Sequence, residues 1–282
     1  MTAVGLALLS ALLFGAMSVA LRIALRREPD ARLGTIATVV PAIAVAVVAA
    51  AAEAPARGLH LGGTWPFLLA GLLSPGAAQV LVTYAIRESG ASRVSMVFGT
   101  APLVSVTIAL AVLGEPVRVP LVAGALLVVA GGIELARERG RPEHLRRIGL
   151  VYAVAGATLF AIRDNLVRHL AVGRTTVPPA VAAAAALVGG GVLVFVWARR
   201  GVSRRWLPFL PAGLLFGGSY VSLFEAYYRG RVTVVAPLVA VESLAGVALA
   251  ILFLRDSERV GKRLVVGAAL IVAGGALIGA FR

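Results

Sequence analysis

Cysteine is absent from the 282-residue chain, histidine occurs three times, and charged residues make up only 14%. Without Cys the chain has no disulfide, no thiolate metal site and no thiol nucleophile. His60, His144 and His169 are far apart in sequence and lack metal-ligand spacing. Neither HExxH nor a Gly-x-x-x-x-Gly-Lys-Ser/Thr phosphate loop occurs. Zinc-protease chemistry is thereby excluded, ATP-driven pumping would need a partner chain, and no cofactor is expected. An intramembrane enzyme needs a convergent nucleophile–base pair, which this composition does not offer. Charge is also too scarce to coat a soluble domain, where charged residues usually make up about 25%.

What the chain has is apolar length. Sixty percent of residues are hydrophobic and the mean hydropathy is +0.94. Its charges are bunched between apolar runs of about 18 to 24 residues, long enough to cross a ~30 Å hydrocarbon core at 1.5 Å per residue. The first run has no basic segment before it and no clear cleavage site, so it reads as a span rather than a removed signal. Ten spans are expected, near residues 3–25, 33–52, 65–86, 94–114, 118–136, 148–170, 177–198, 206–228, 233–254 and 263–281. The expected class is an all-α integral membrane protein, with the lipid bilayer as its first partner.

The sequence also repeats itself. Gly124-Ala125-Leu126-Leu127-Val128-Val129-Ala130-Gly131-Gly132 recurs as Gly267-Ala268-Ala269-Leu270-Ile271-Val272-Ala273-Gly274-Gly275, about half a chain length later. Phe14 to Arg22 lines up with Phe160 to Arg168, and Ala70-Gly71-Leu72-Leu73 with Ala212-Gly213-Leu214-Leu215. Residues 1–137 and 148–282 form two five-span repeats joined by a basic segment at 138–147. An odd number of spans per repeat makes the second copy enter from the opposite face, which gives inverted repeats able to exchange conformations. Gly213-x-x-x-Gly217 and Gly275-x-x-x-Gly279 fit close helix crossings, within one chain or between two copies of a homodimer.

The net charge of +14 follows from arginines in short loops, as the positive-inside rule requires. No basic patch is interleaved with aromatics, so nucleic acid is not an expected partner. Most of the 27 basic residues fall in the odd-numbered loops. That distribution places those loops in the cytoplasm and both termini outside the cytoplasmic membrane.

With Leu113-Gly114-Glu115 closing span 4, the Gly124–Gly132 segment in span 5 and Phe14-Gly15 in span 1, the chain resembles the EamA family of the drug/metabolite transporter superfamily. The second copy departs from the pattern, with Leu254-Arg255-Asp256 where another Leu-Gly-Glu is common, and Phe14 stands where Trp is common. The resemblance implies ten helices in two repeats, secondary transport of a small metabolite or drug-like molecule, and export as the direction. It also implies cytoplasmic termini, against the arginine distribution. A lipid-linked flippase and a non-transporting assembly partner are the alternatives.

Ionisable groups at membrane depth are functional candidates by default. Arg163 and Asp164 in span 6, Glu225 in span 8 and Glu242 in span 9 qualify, while their first-half counterparts are mostly neutral. Glu242, near the middle of its span, is the foremost candidate to exchange a proton or hold a substrate charge, with an ion pair to Arg163 as its structural alternative. Arg163 and Asp164 point about 100° apart on a helix and cannot easily pair with each other, whereas Asp164 and Arg168, four apart, can; for Asp164 that local pair is the alternative to a role in the pathway. Glu225 has Arg229 at the same spacing. Asn165, Gln79, Tyr84, Ser219, Tyr220 and Tyr227 are candidates for hydrogen bonds and aromatic walls. Pro102 and Pro237 suit kinks beside a central pathway.

Overall fold

A computed structural model describes the chain apart from residues 1, 99–100, 117, 137–146, 173–175, 200–203, 254–261 and 282. Thr2 begins the first helix by accepting a hydrogen bond from the Gly5 N–H at 3.2 Å, and Asp30 begins the second by accepting from Arg32 and Leu33. Both satisfy free N–H groups of a first turn. The helices are α1 (Ala3–Arg27), α2 (Ala31–Arg57), α3 (Trp65–Gly71), α4 (Ala78–Ser89), α5 (Ala91–Phe98), α6 (Ala101–Ala111) and α7 (Val119–Ala136). In the second half they are α8 (Arg147–Ala171), α9 (Pro179–Ala198), α10 (Leu210–Arg229), α11 (Val232–Val239), α12 (Glu242–Phe253) and α13 (Lys262–Ala280). No strand occurs among the described residues.

Seven described helical segments are long and apolar enough to cross a membrane. The expected spans 94–114, 118–136 and 263–281 correspond instead to α5 with α6, to α7 and to α13. Two segments that read as continuous are interrupted among the described residues. Ser74 leaves helical geometry (φ −148°, ψ 119°) ahead of Pro75, which separates α3 from α4 through a wide turn at Leu72–Ala77. Proline cannot donate to the preceding turn, so the interruption falls beside it. α11 gives way to α12 through Ala240 and Val241, three residues beyond Pro237. The basic joint at 138–147 and the Leu254-Arg255-Asp256 segment fall largely or wholly outside the described residues.

The main packing partners join one half of the chain to the other. α1 packs on α10, and its counterpart α8 packs on α4; α2 packs on α10, and α9 on α3. α1 meets α12 and α8 meets α6, while α7 runs along α13. The two copies of the duplicated segment therefore face each other. A Cβ on Gly131 would stand 2.5 Å from the Gly267 carbonyl oxygen, and one on Gly274 would stand 2.5 Å from that of Gly124. Residue 131 lies by 267 while 274 lies by 124, so the two helices run antiparallel. Only glycine admits this approach of backbone to backbone. Gly213 and Gly217 lie against Pro41, Ala42 and Val45 of α2, so this motif is used inside the chain. Gly275 touches Leu238 and Val241 only at ordinary contact distance.

Overpacking a close crossing costs about 1–3 kcal/mol. Gly274→Leu is expected to lower the thermal unfolding midpoint of the purified protein in detergent by several degrees. Leucine at Val272, on the exposed side of the same helix, should leave it unchanged. Equal midpoints for the two variants would show that the crossing is not close.

Candidate functional site

Where α1, α6, α8 and α10 converge on the α11–α12 turn, the structure leaves a cavity of about 40 Å³ open to water centres. That is room for a few waters. Ser10 and Phe14 face it from α1, Pro102 and Ser105 from α6, Phe160, Arg163 and Asp164 from α8, and Ser219 and Tyr220 from α10. Ala240 and Glu242 complete the wall at the turn. Helix interruption and cavity coincide because backbone groups released from a helix ladder are tolerated where a polar cleft can satisfy them.

Arg163 is the largest fully buried side chain, 1% exposed. Its Nη2 lies 3.0 Å from Asp164 Oδ1. Its guanidinium carbon sits 4.7 Å from the ring centre of Tyr220, 5.1 Å from Phe160 and 5.8 Å from Phe224. Three ring faces and one carboxylate thus take the place of water around a charge that the residue cannot shed. Nε and Nη1 of Arg163 have no hydrogen-bond partner among the described residues. The expectation that Arg163 and Asp164 point too far apart to pair is overturned. The long arginine side chain bends around the helix toward α10, bringing its head back over its neighbour. The alternative Asp164–Arg168 pair does not form; Arg168 Nη1 donates to the Tyr227 carbonyl at 2.9 Å. Arg22, its counterpart in the first repeat, likewise donates to the Ile86 and Arg87 carbonyls at the end of α4, each at 3.1 Å.

Glu242 is buried in the first turn of α12. It makes no ion pair with Arg163, although Arg163 and Asp164 both lie within Coulombic reach. The remaining polar groups are tied to the frame. Asn165 Nδ2 donates to the Ser105 and Ala161 carbonyls at 3.0 and 2.9 Å, holding α8 on α6. Tyr220 donates to the Ser74 carbonyl at 2.5 Å, at the α3–α4 interruption, and the Ser10 and Ser219 hydroxyls meet at 3.0 Å.

Phenylalanines pack against one side of this polar cluster. Phe14 meets Phe160 edge-on at 5.7 Å, stacks on Phe98 at 5.8 Å and touches Phe216 at 6.1 Å; Phe98 meets Phe160 at 5.6 Å. Phe14 and Phe160 are counterparts in the two repeats, so their alignment in the sequence was a usable signal for a shared wall. Sequence reasoning did not single out Ser10, Ser105 or Phe98 as site residues. Nothing in their local sequence separates them from other small or aromatic packing residues.

Several candidates lie elsewhere. Glu225 pairs with Arg229, Nε to Oε2 at 2.7 Å, and with Arg57 at 3.2 Å; Arg57 also bonds Glu53. Tyr84 packs against Tyr152 and Trp197 beneath the Arg87 guanidinium. Gln79 is fully buried outside the cavity wall and Pro237 is buried outside it, whereas Pro102 belongs to the wall; Tyr227, fully buried and not part of the wall, lies within reach of Asp164 and Arg163. The structure thus brings Arg163, Asp164, Glu242, Tyr220, Ser219 and Pro102 together, with Asn165 just behind them.

Removing one member of a buried pair costs about 3–5 kcal/mol, because the other charge is stranded. Arg163→Met is therefore expected to destabilise the protein strongly in thermal unfolding. The double variant Arg163→Met/Asp164→Asn should recover most of the loss. A double variant as unstable as the sum of the two single variants would show that the pair is not coupled.

No curated protein matches the chain. A solved structure described only as a crystal structure of a protein is similar in fold, with a TM-score of 0.76 and 22% identity over 99% of this chain and 96% of that one. The model of the EamA-like transporter family matches twice, over residues 1–134 and 147–280. With its apolar helices, its paired halves and this double match, the chain is an integral multi-pass membrane protein that belongs to the EamA-like transporter family of the drug/metabolite transporter superfamily.

Proposed function

We propose that the protein is a secondary transporter of the cytoplasmic membrane that carries a small amphipathic metabolite by alternating access, in the export direction. Its ten transmembrane helices form two inverted five-helix repeats, 1–137 and 148–282, joined at 138–147. The antiparallel meeting of Gly131 with Gly267 and of Gly274 with Gly124 supports the inversion.

The observation that carries the reading is Glu242, a carboxylate without an ion pair, facing a cavity at the interruption between α11 and α12. Arg163 and Asp164 already neutralise each other across 3.0 Å. Glu242 is thereby left to take a proton or a positive substrate group. The Phe14, Phe98 and Phe160 rings receive the apolar part of the substrate, and the Ser10, Ser105 and Ser219 side chains its polar edge. A non-transporting assembly partner would pair all its buried charges, and a Glu242 carboxylate without an ion pair among the described residues favours a transporter instead.

A thermal-shift ligand screen on purified protein, followed by uptake into liposomes under an imposed pH gradient, tests the assignment. Glu242→Gln is expected to abolish the response to the pH gradient while leaving the protein folded. Unchanged proton-dependent transport in that variant overturns the role given to Glu242. The arginine distribution places both termini outside the cell. A reporter fused within residues 138–147 is expected to read as cytoplasmic, and an external reading reverses the orientation.

A further inference from the structure

We propose that Glu115 is the latch that holds one mouth of the cavity shut, and that moving substrate through this mouth requires its release. The proposal rests on reading the cavity as the transport pathway. Its test needs neither a substrate nor Glu242.

Glu115 follows Gly114, which turns the chain after α6 with φ +63°. Its carboxylate reaches into the other half of the protein. Oε1 accepts the Val232 N–H at 2.9 Å and Oε2 accepts the Thr233 N–H at 3.0 Å. These are two successive free N–H groups in the first turn of α11, where a carboxylate is favoured by both hydrogen bonding and the helix dipole. Both bonds are charge-assisted. Arg231 precedes the capped turn, and Arg168 lies within Coulombic reach of Glu115. Half-buried, the carboxylate holds the α6 end against the α11 start at the edge of the protein.

The joined elements are walls of the cavity. α6 contributes Pro102 and Ser105, α11 contributes Ala236 and Val239, and the two helices pack on each other. The end of the molecule concerned is the one bearing the N terminus, because Ala3 packs against Gly230 two residues before Val232. No gap can open there between α6 and α11 while Glu115 holds both N–H groups. Another carboxylate also joins the halves: Glu53 Oε2 accepts the Ala180 N–H of α9 at 3.1 Å. Glu53 and Ala180 belong to α2 and α9, which contribute nothing to the cavity wall, so that bond fixes the frame. The Glu115 bonds instead span two elements free to part. α11 is eight residues long and is separated from α12 by the turn at Ala240 and Val241. It can swing on that turn without moving α12 and Glu242. Away from that end, the Phe14, Phe98 and Phe160 rings of the cavity wall pack on one another.

Because the chain has no native Cys, a single cysteine at Ser105 reports on the cavity. In proteoliposomes, a membrane-impermeant maleimide is added to one face at a time, with Arg118→Cys marking the face that bears Glu115. Glu115→Ala is expected to raise the labelling rate of S105C at least tenfold from that face and to leave the opposite face unchanged. Glu115→Gln, which keeps one acceptor oxygen, should give an intermediate rate and carries the comparison if the alanine variant does not fold. An unchanged rate in both variants overturns the proposal. So does an equal increase from both faces, the result expected of a cap that merely stabilises the fold.

Discussion

A guanidinium that cannot lose its charge is held in an apolar interior, and the local architecture follows from that constraint. Arg163 needs a counter-charge, and Asp164 supplies it at 3.0 Å. It needs replacement for lost hydration, and Phe160, Tyr220 and Phe224 supply ring faces. Those rings bring α8 against α10. Tyr220 is aligned in turn by its bond to Ser74, at the place where α3 gives way to α4. The interruption of one helix, the burial of one charge and the position of one aromatic are thus parts of a single arrangement, with a neutral pair at its centre and Glu242 beside it.

That arrangement sits on a scaffold far more symmetric than itself. Arg22 and Arg168 each donate to carbonyls at a helix end in their own repeat, and Phe14 and Phe160 meet between the repeats. Against this background, Asp164 stands where the first repeat has Ser18, and Arg163 where it has Met17. The site is therefore local to the second half, although its walls come from both. A common frame with one specialised copy lets the machinery of motion stay paired while the chemistry is confined to one place.

Much of this was legible in the residues. The duplicated glycine segments marked the two repeats, though not that α7 would pair with α13, and Glu242 and Arg163 were evident because charge is rare in apolar runs. The pairing of Arg229 with Glu225 followed from their spacing. The Arg163–Asp164 pair was misread because backbone angles alone say little about where a long flexible side chain ends. The division of residues 65–89 was missed although Pro75 and Gly76 mark it, because the apolar run on both sides is long enough to read as one span. Glu115 could be seen as a motif but not as a contact. Its partners are backbone N–H groups more than a hundred residues away, and backbone donors leave no trace in a sequence.

The meeting of Gly131 with Gly267 and of Gly124 with Gly274 carries a further consequence. Each position in one copy touches the counterpart of its partner in the other, the relation found where two identical surfaces meet about a two-fold axis. A single half of this chain therefore displays a face complementary to an inverted copy of itself. Covalent linkage between the two matched halves fixes their ratio and lets them diverge, while the shape that joins them is the one a self-associating half-length ancestor would have required.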